Sequence, residues 1–199
     1  MLKNLSAAVI CGGKSKRFGE PKSLVTFNNR HLVDYAIDLA KQIGQDQFLI
    51  YGETNLFNAK DINCIPDFIP NCGPLGGVYT ALLTSKGPWT AMIPCDMPFL
   101  ETKVYEMLFE NRVENRAVVA LSENGMESLV SIWPSSIKEM VESTIHKKEL
   151  AIHTLLKKCQ AVEISFPETM PNYRFEIFDN VNTKEDLRGI QTRNSNLKK

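Results

Sequence analysis

A glycine-rich, basic loop follows the first apolar run of the chain. Gly12 and Gly13 lack side chains, so backbone N–H groups can approach an anion closely. The loop carries one carboxylate, Glu20, and four cations: Lys14, Lys16, Arg17 and Lys22. The whole chain is neutral, with 23 basic and 23 acidic residues. A local cationic excess in a neutral chain predicts a small polyanionic ligand that carries phosphates, rather than a nucleic-acid surface.

Two common phosphate-binding motifs do not account for this loop. Ala8 stands where a P-loop needs its first glycine. The glycines also do not fit G-x-G-x-x-G, and no helical pattern starts within the loop, which excludes a Rossmann fingerprint. The remaining alternative to a phosphate site is a solvated basic loop with turn glycines.

A single carboxylate, Asp96, follows another apolar run and lies between Pro94 and Pro98. Magnesium binds one or two carboxylates together with waters and substrate phosphates, so Asp96 alone could anchor a nucleotide-bound ion. An aspartate that caps a turn or the following helix explains the same position equally well. Both interpretations stay open on the residues alone.

A second loop rich in glycine and proline, residues 66–77, precedes a predicted helix. Gly76 and Gly77 would let the backbone approach a flat ligand. Asp67 and backbone carbonyls would supply acceptors for the N1–H and amino groups of a guanine. The alternative is an ordinary connection between a strand and a helix.

Short apolar runs alternate with segments of helical period along the chain. We predict strands ending at Ile10 and over 48–51, 63–65, 89–93, 117–121 and 129–133, and helices over 32–43, 79–83, 102–110 and within 135–147 and 150–157. This alternation predicts an α/β fold, a single-domain three-layer α/β/α Rossmann-like arrangement with an open, mostly parallel sheet. Ligands of such sheets bind beyond the carboxyl ends of the strands. The basic loop, Asp67 and Asp96 all fall there.

Length and composition favour one cytoplasmic domain. We expect a single domain over 1–190 and a disordered polar tail over 191–199. The five cysteines show neither metal-binding spacing nor a disulfide framework, which favours a reducing compartment. No apolar run approaches the roughly 20 residues of a membrane span, so a membrane is not an expected partner. The neutral net charge argues against a nucleic acid as partner.

Four motifs in order resemble the molybdenum cofactor guanylyltransferases, which have the nucleotide-diphospho-sugar transferase fold. They are G-G-x-S-x-R-x-G-x-x-K at 12–22, G-P-L-x-G at 73–77, C-D-x-P-F at 95–99 and N-x-N-T-x-E-D-L at 180–187. The resemblance implies transfer of GMP from Mg-GTP to the terminal phosphate of molybdopterin. The products would be molybdopterin guanine dinucleotide and pyrophosphate, and the cofactor would be Mg²⁺. The resemblance also implies other molybdenum cofactor biosynthesis proteins and target molybdoenzymes as partners.

The motifs of the family assign roles to residues of this chain. GTP would contact Ile10, Cys11, Gly12, Gly13, Lys22, Asp67, Gly76 and Asp96. Arg17, Lys22 and Asp96 would be catalytic, with Asp96 as the metal ligand, and Asn180 and Asn182 would face the pterin. The chain departs from the family in four places. Cys11 replaces a commoner alanine, and the loop between Gly19 and Lys22 is compact, being Glu20-Pro21. Tyr51 or Gly52 stands where an asparagine is frequent, and Glu127-Ser128-Leu129 replaces a Pro-Leu or Pro-Thr pair.

The chemistry requires charge neutralisation more than proton transfer. A phosphate monoester has its second pKa near 6, so at neutral pH it is already largely a dianion and needs no general base. Asn182 or Thr183 could instead cap a helix that has Glu185 and Asp186 in its first turn. Two other functions remain open: nucleotidyl transfer to another small phosphate acceptor such as a sugar phosphate, and a non-catalytic nucleotide-binding domain.

Overall fold

A computed structural model of the protein describes residues 1–11, 25–52, 61–183 and 185–190. The described residues form nine strands: β1 (Leu5–Cys11), β2 (Thr26–Phe27), β3 (Arg30–His31), β4 (Asp46–Tyr51), β5 (Asn63–Pro66), β6 (Trp89–Pro94), β7 (Val118–Ser122), β8 (Gly125–Pro134) and β9 (Val162–Ser165). Seven of them make one sheet in the order β5-β4-β1-β6-β8-β7-β9. Among these seven, only β8 runs antiparallel to its neighbours. The predicted open, mostly parallel sheet is therefore confirmed.

Helices cover both faces of the sheet. They are α1 (Leu32–Ile43), α2 (Pro74–Thr84), α3 (Thr102–Glu110), α4 (Lys138–His146), α5 (Ile152–Lys158) and α6 (Phe166–Thr169). Buried side chains of α1, α3 and α6 pack in one core with alternate residues of β1 and β6. Those of α2, α4 and α5 pack in a second core with the intervening residues of the same strands. Because side chains of a strand point alternately to its two faces, the continuously buried β1 supplies both cores and the fold has three layers.

Helix α1 shows how local sequence fixes the geometry near the edge of the sheet. Its buried residues recur at the spacing of one helical face. The carboxylate of Asp34 accepts a hydrogen bond of 3.2 Å from the His31 N–H, which satisfies a donor just before the first turn. The helix ends before Gly44, where a Cβ would lie 2.6 Å from the Cβ of Ala7. Gly44 therefore lets the helix end pass closely over β1.

A third cluster joins the short β2–β3 hairpin to the last described segment. Val25, Phe27 and Leu32 pack with Val181 and Ile190, and all five are buried. The hairpin turns through Asn28 and Asn29, whose φ angles of 49° and 60° lie in the left-handed region that asparagine tolerates. This cluster holds the chain around residue 181 against the rest of the fold.

The structure differs from the sequence-based expectation in the second half of the sheet. Strand β8 starts at Gly125 and is longer than the predicted strand over 129–133. Its pairing with β7 is interrupted by a bulge at Val119/Ala120, which breaks the pattern expected of a regular strand. Strand β9 and helix α6 were not predicted, because each is only four residues long. None of the helices in the described ranges is both long and apolar enough to span a membrane.

Candidate functional site

Four parallel strands end at the same level of the sheet. Ile10 of β1 lies opposite Ile50 of β4 and Pro94 of β6, and Tyr51 lies opposite Pro66 of β5. The segments that follow these strands therefore leave from one carboxyl edge, which is where parallel α/β sheets bind ligands. Asp67 and Asp96 lie in two of those segments. Gly12, Gly13, Arg17 and Lys22, predicted on the loop after β1, lie outside the described residues.

The carboxylate of Asp67 is held by the turn that follows it and by α2. Its Oδ1 accepts hydrogen bonds from the Ile69 N–H at 3.0 Å and from the Thr80 hydroxyl at 3.1 Å. The Thr80 hydroxyl oxygen also accepts the Phe68 N–H at 2.9 Å. Burial raises the pKa of Asp67 above its ordinary value, and the two hydrogen bonds act in the opposite direction. The result is a fixed acceptor group at the edge where the sequence predicts the base.

Gly76, in the first turn of α2, lies directly against this carboxylate. A Cβ at Gly76 would lie 2.6 Å from Asp67 Oδ2 and 2.8 Å from the Ile69 carbonyl oxygen, closer than atoms tolerate. A Cβ at Gly77 would lie 3.2 Å from Cγ2 of Ile10. The two glycines thus bring the start of α2 close to both Asp67 and the end of β1. The sequence predicted glycine here for backbone approach to a ligand, and within the protein the same positions permit approach to Asp67.

Asp96 and the segment around Asn180 are joined through the main chain. The Val181 N–H donates a hydrogen bond of 2.9 Å to the Asp96 carbonyl oxygen. The Val181 side chain is fully buried in the third cluster, so this contact does not depend on a mobile surface residue. The structure therefore places two motifs that are distant in sequence next to each other, one predicted to hold the metal and the other predicted to face the acceptor.

The two asparagines of the last motif have different surroundings. Among the described residues, Asn180 Oδ1 is a buried side-chain oxygen with no hydrogen-bond partner. Such an acceptor is costly unless a ligand or another group donates to it. The Asn182 and Thr183 N–H groups both donate to the Asp186 carboxylate, at 2.9 and 2.8 Å.

The helix cap that the sequence left open between two residues is made by Thr183. Its hydroxyl accepts the Asp186 N–H at 3.1 Å, and the carboxylate of Asp186 accepts the N–H of Thr183 in return. This reciprocal pair is a capping box for the helical segment over 185–190. Asn182 lies next to the box, and its main-chain N–H donates to the same Asp186 carboxylate.

A second carboxylate, Glu127, lies close enough to Asp96 for their charges to interact. It stands near the start of β8, which the antiparallel direction brings to the carboxyl edge of the sheet. Its Oε1 accepts the Ser122 hydroxyl at 2.7 Å. Burial raises the pKa of Glu127, the Ser122 hydrogen bond lowers it, and the charges of Asp96 and Glu123 raise it further. Sequence reasoning noted Glu127 only as a departure from the family; the antiparallel β8 that gives it this place was not predicted.

Two thiols flank the same edge. Cys11 is the last residue of β1, and Cys95 follows the last residue of β6. Burial raises the pKa of Cys11 well above its ordinary value, and a hydrogen bond with Cys95 and the charge of Asp96 act in the same direction. The two thiols therefore lie near each other, beside the carboxylate predicted to bind metal.

The donor set at this edge suits a metal ion that a nucleotide brings with it. In the described ranges, no three His, Cys, Asp or Glu side chains converge as a complete metal site. One carboxylate from Asp96, with Glu127 nearby, matches the preference of Mg²⁺ for few carboxylates completed by waters and phosphates. The residues present therefore fit a substrate-bound divalent ion rather than a permanent structural metal.

Comparison with known proteins agrees with this architecture. The model of the MobA-like NTP transferase domain matches residues 7–162 of the chain. A probable molybdenum cofactor guanylyltransferase of Halalkalibacterium halodurans is 30% identical over 189 residues, covering 90% of this chain and 93% of that protein. A protein of the same description from Flavobacterium johnsoniae is 27% identical and covers 95% and 97% of the two chains.

Solved structures show the same fold at lower sequence identity. Molybdopterin-guanine dinucleotide biosynthesis protein A from Archaeoglobus fulgidus superposes with a TM-score of 0.80 at 20% identity, covering 96% of this chain and 98% of that one. The 2-C-methyl-D-erythritol 4-phosphate cytidylyltransferase of Thermus thermophilus gives 0.68 at 11% identity, with 94% and 98% covered. Nucleotidyltransferases of the nucleotide-diphospho-sugar transferase type therefore share this sheet.

Proposed function

Because the chain belongs to the MobA-like NTP transferase family, and is therefore a nucleotidyltransferase, we propose that it transfers GMP from GTP to the terminal phosphate of molybdopterin. The products are molybdopterin guanine dinucleotide and pyrophosphate. The names of the relatives support the choice of base and acceptor, and the order of motifs in the chain supports it independently.

The observation that carries the proposal is the hydrogen bond from Val181 to Asp96. Nucleotidyl transfer needs the donor phosphate and the acceptor phosphate in line within one site. Asp96 belongs to the predicted nucleotide side, and Asn180 and Asn182 belong to the predicted acceptor side. Their attachment through one main-chain contact supports a single reaction centre at the carboxyl edge.

On the nucleotide side, Asp67 would accept the N–H groups of guanine. Its Oδ1 is already fixed by two hydrogen bonds, which orients the carboxylate before a ligand binds. Gly76 brings the first turn of α2 directly against Oδ2, with no side chain between them. Ile10, Cys11, Gly12 and Gly13 would contribute main-chain contacts around the nucleotide.

Charge neutralisation is the main task of the catalytic residues. Asp96 would hold Mg²⁺, which lowers the negative charge of the triphosphate when bound. Arg17 and Lys22 would contact the reacting α-phosphate and the leaving pyrophosphate. One cation at about 4 Å offsets roughly 4 kcal/mol of repulsion at an effective dielectric of about 20, before desolvation. Two such contacts and the metal are of the order that catalysis by charge stabilisation requires.

On the acceptor side, the phosphate attacks as a dianion without a general base. Asn180 and Asn182 would position the pterin, and the unpartnered Oδ1 of Asn180 suits one of its N–H donors. We take residues 1–190 as one guanylyltransferase domain; the polar tail predicted over 191–199 lies outside the described residues. We place the reaction in the cytoplasm, where other molybdenum cofactor biosynthesis proteins and target molybdoenzymes would supply the substrate and receive the product.

The test is pyrophosphate release by the purified, reduced protein. GTP, ATP, CTP and UTP are each supplied with molybdopterin, and GTP is supplied with molybdopterin or with a panel of sugar phosphates, in magnesium. We expect release only with GTP and molybdopterin together, and formation of the dinucleotide by mass spectrometry. Asp96→Ala should lower turnover at least 100-fold, the order seen when one electrostatic catalytic group is removed. Asp61→Ala, a surface carboxylate on another part of the chain, is the matched control.

Each alternative function gives a different result. Turnover with a sugar phosphate but not with molybdopterin would replace the acceptor in the proposal. Tight GTP binding without pyrophosphate release from any acceptor would indicate a non-catalytic nucleotide-binding domain. Turnover of Asp96→Ala close to that of the unaltered protein would contradict the role of Asp96.

A further inference from the structure

The Cys11 and Cys95 pair is not used by the proposed transfer reaction. Ile10 of β1 pairs with Pro94 of β6 in a parallel register, and Cys11 and Cys95 are the residues that directly follow this pair. Both side chains point to the same face of the sheet, where each packs at the margin of the first core. Neighbouring strands are about 4.8 Å apart, which lies within the Cα separation that a disulfide spans. Both thiols are free and partly exposed.

The position of the pair links it to the proposed site. Cys11 directly precedes the glycine-rich loop, and Cys95 directly precedes Asp96. From this geometry we infer that Cys11 and Cys95 form a reversible disulfide by exchange with small-molecule disulfides, and that the bond suppresses guanylyl transfer. The first part stands on the thiols alone, and the second part rests on the proposed function.

The small disulfide is the oxidant in this exchange. One protein thiolate attacks a sulfur of the small disulfide, which forms a mixed disulfide and releases one small thiol. The second protein cysteine then attacks the mixed disulfide and releases the other small thiol. The two cysteines lose two electrons and two protons, and the small disulfide gains them as it becomes two thiols. An excess of dithiol reverses both steps.

The bond would change the site through the ends of two strands. A disulfide is a covalent bond of about 2 Å between the two sulfur atoms. Closure therefore fixes the end of β1 to the residue that follows β6. The turn that contains Asp96 starts there and loses its freedom to adjust around a nucleotide. Cys64 also raises the pKa of Cys11, but it lies in β5. Strand β4 separates β5 from β1, so Cys64 is not adjacent to Cys11 in the sheet.

The test uses the full chain with oxidised glutathione as the probe. After removal of the probe, intact mass and peptide mapping should show loss of two hydrogens and a Cys11–Cys95 peptide. Guanylyl transfer should fall at least tenfold and return with dithiothreitol. Cys95→Ala should keep the activity of the reduced protein and lose its response to the probe. Cys64→Ser, the matched control, should respond like the unaltered protein.

Two outcomes would overturn the inference. One is a mapped product in which Cys11 and Cys95 carry glutathione or pair with other cysteines instead of with each other. The other is a complete Cys11–Cys95 linkage with unchanged transfer. Failure of the proposed function itself is seen separately, as absence of transfer in the reduced protein before any probe is added; the peptide map then still decides whether the disulfide forms.

Discussion

The main-chain N–H of Val181 donates a hydrogen bond of 2.9 Å to the carbonyl oxygen of Asp96. This contact ties the segment after β6 to a segment near the end of the described chain. Val181 is anchored in a buried cluster, so the contact holds the two segments side by side. The proposed nucleotide and acceptor sides of the site are therefore parts of one structural unit, and substitutions on each side can be tested for separate effects.

We expect Asp67→Asn to change the pH dependence of stability. Burial raises the pKa of the Asp67 carboxyl in the folded protein, so the folded state binds its proton more tightly than the unfolded state does. The contribution of Asp67 to the free energy of unfolding is then fully present below the unfolded pKa of about 3.9. This contribution is lost as pH rises through the folded-state pKa. Asparagine does not ionise, so the variant does not lose this contribution. Its free energy of unfolding should therefore rise relative to that of the unaltered protein between pH 4 and 7.

Denaturant unfolding at several pH values measures this difference. Asp61→Asn, a substitution at an exposed carboxylate, is the control and should show no comparable gain. If Asp67→Asn instead becomes less stable relative to the unaltered protein as pH rises, the hydrogen bonds lower the pKa of the carboxyl by more than burial raises it. GTP binding by Asp67→Asn should weaken, because one acceptor for the guanine N–H groups becomes a donor.

Gly76→Ala should destabilise the protein and weaken GTP binding together. The new Cβ would lie 2.6 Å from Asp67 Oδ2 and 2.8 Å from the Ile69 carbonyl oxygen, so the loop or the first turn of α2 must shift. Overpacking of this kind costs about 1–3 kcal/mol. Gly189→Ala is the matched control, because nothing lies within 4 Å of its Cβ position. Calorimetric GTP titration measures the binding effect, and thermal unfolding measures the stability effect. If Gly76→Ala were as stable as Gly189→Ala, the close approach of Gly76 to Asp67 would be contradicted.

Asn180→Ala and Thr183→Ala should separate acceptor binding from helix capping. Asn180 Oδ1 has no partner among the described residues, so its removal should leave stability within about 1 kcal/mol. The KM for molybdopterin should rise at least about tenfold, while GTP affinity stays the same. Thr183→Ala removes the cap to the Asp186 N–H and should cost about 1 kcal/mol of stability. Equal loss of stability in both variants, without an acceptor effect for Asn180→Ala, would make Asn180 a structural residue.

Glu127→Gln should lower the apparent affinity for Mg²⁺ in the transfer reaction. The charge of Glu127 acts on the same region as that of Asp96, and the amide keeps an oxygen to accept the Ser122 hydroxyl. Loss of one negative charge near the ion should raise the magnesium concentration for half-maximal activity about tenfold, the order found for residues that support metal ligands. Glu163→Gln, on β9, is the control. An unchanged magnesium dependence would show that Glu127 acts on something other than the ion.

Much of the fold could be predicted from the sequence because the strands of the first half are continuous apolar runs. Helix α1 has the spacing of one helical face and the predicted bounds. Strand β1 is such an apolar run and ends at Cys11, one residue beyond the predicted Ile10. The second half is harder. Strand β8 mixes buried and half-buried residues and contains a bulge, and its antiparallel direction depends on pairing with β6 and β7 rather than on its own residues.

The candidate site was predictable to a smaller extent. Asp67 and Asp96 follow strands, so their place at the carboxyl edge came from the alternation of elements alone. The contact of Val181 with Asp96 and the buried oxygen of Asn180 depend on packing between distant segments, which one sequence does not reveal. Glu127 was missed for the same reason. The register that pairs Ile10 with Pro94, and so brings Cys11 near Cys95, likewise required the order of the strands.

A crystal structure of the reduced protein with GTP and Mn²⁺, located by its anomalous signal, tests whether Lys22 and Asp96 meet around one triphosphate. We expect one metal peak at the Asp96 carboxylate and on the phosphates, the guanine against Asp67 and Gly76, and Lys22 on the triphosphate. A nucleotide bound away from the carboxyl edge, or a metal peak with Asp96 and Lys22 on different sides of the molecule, would contradict it.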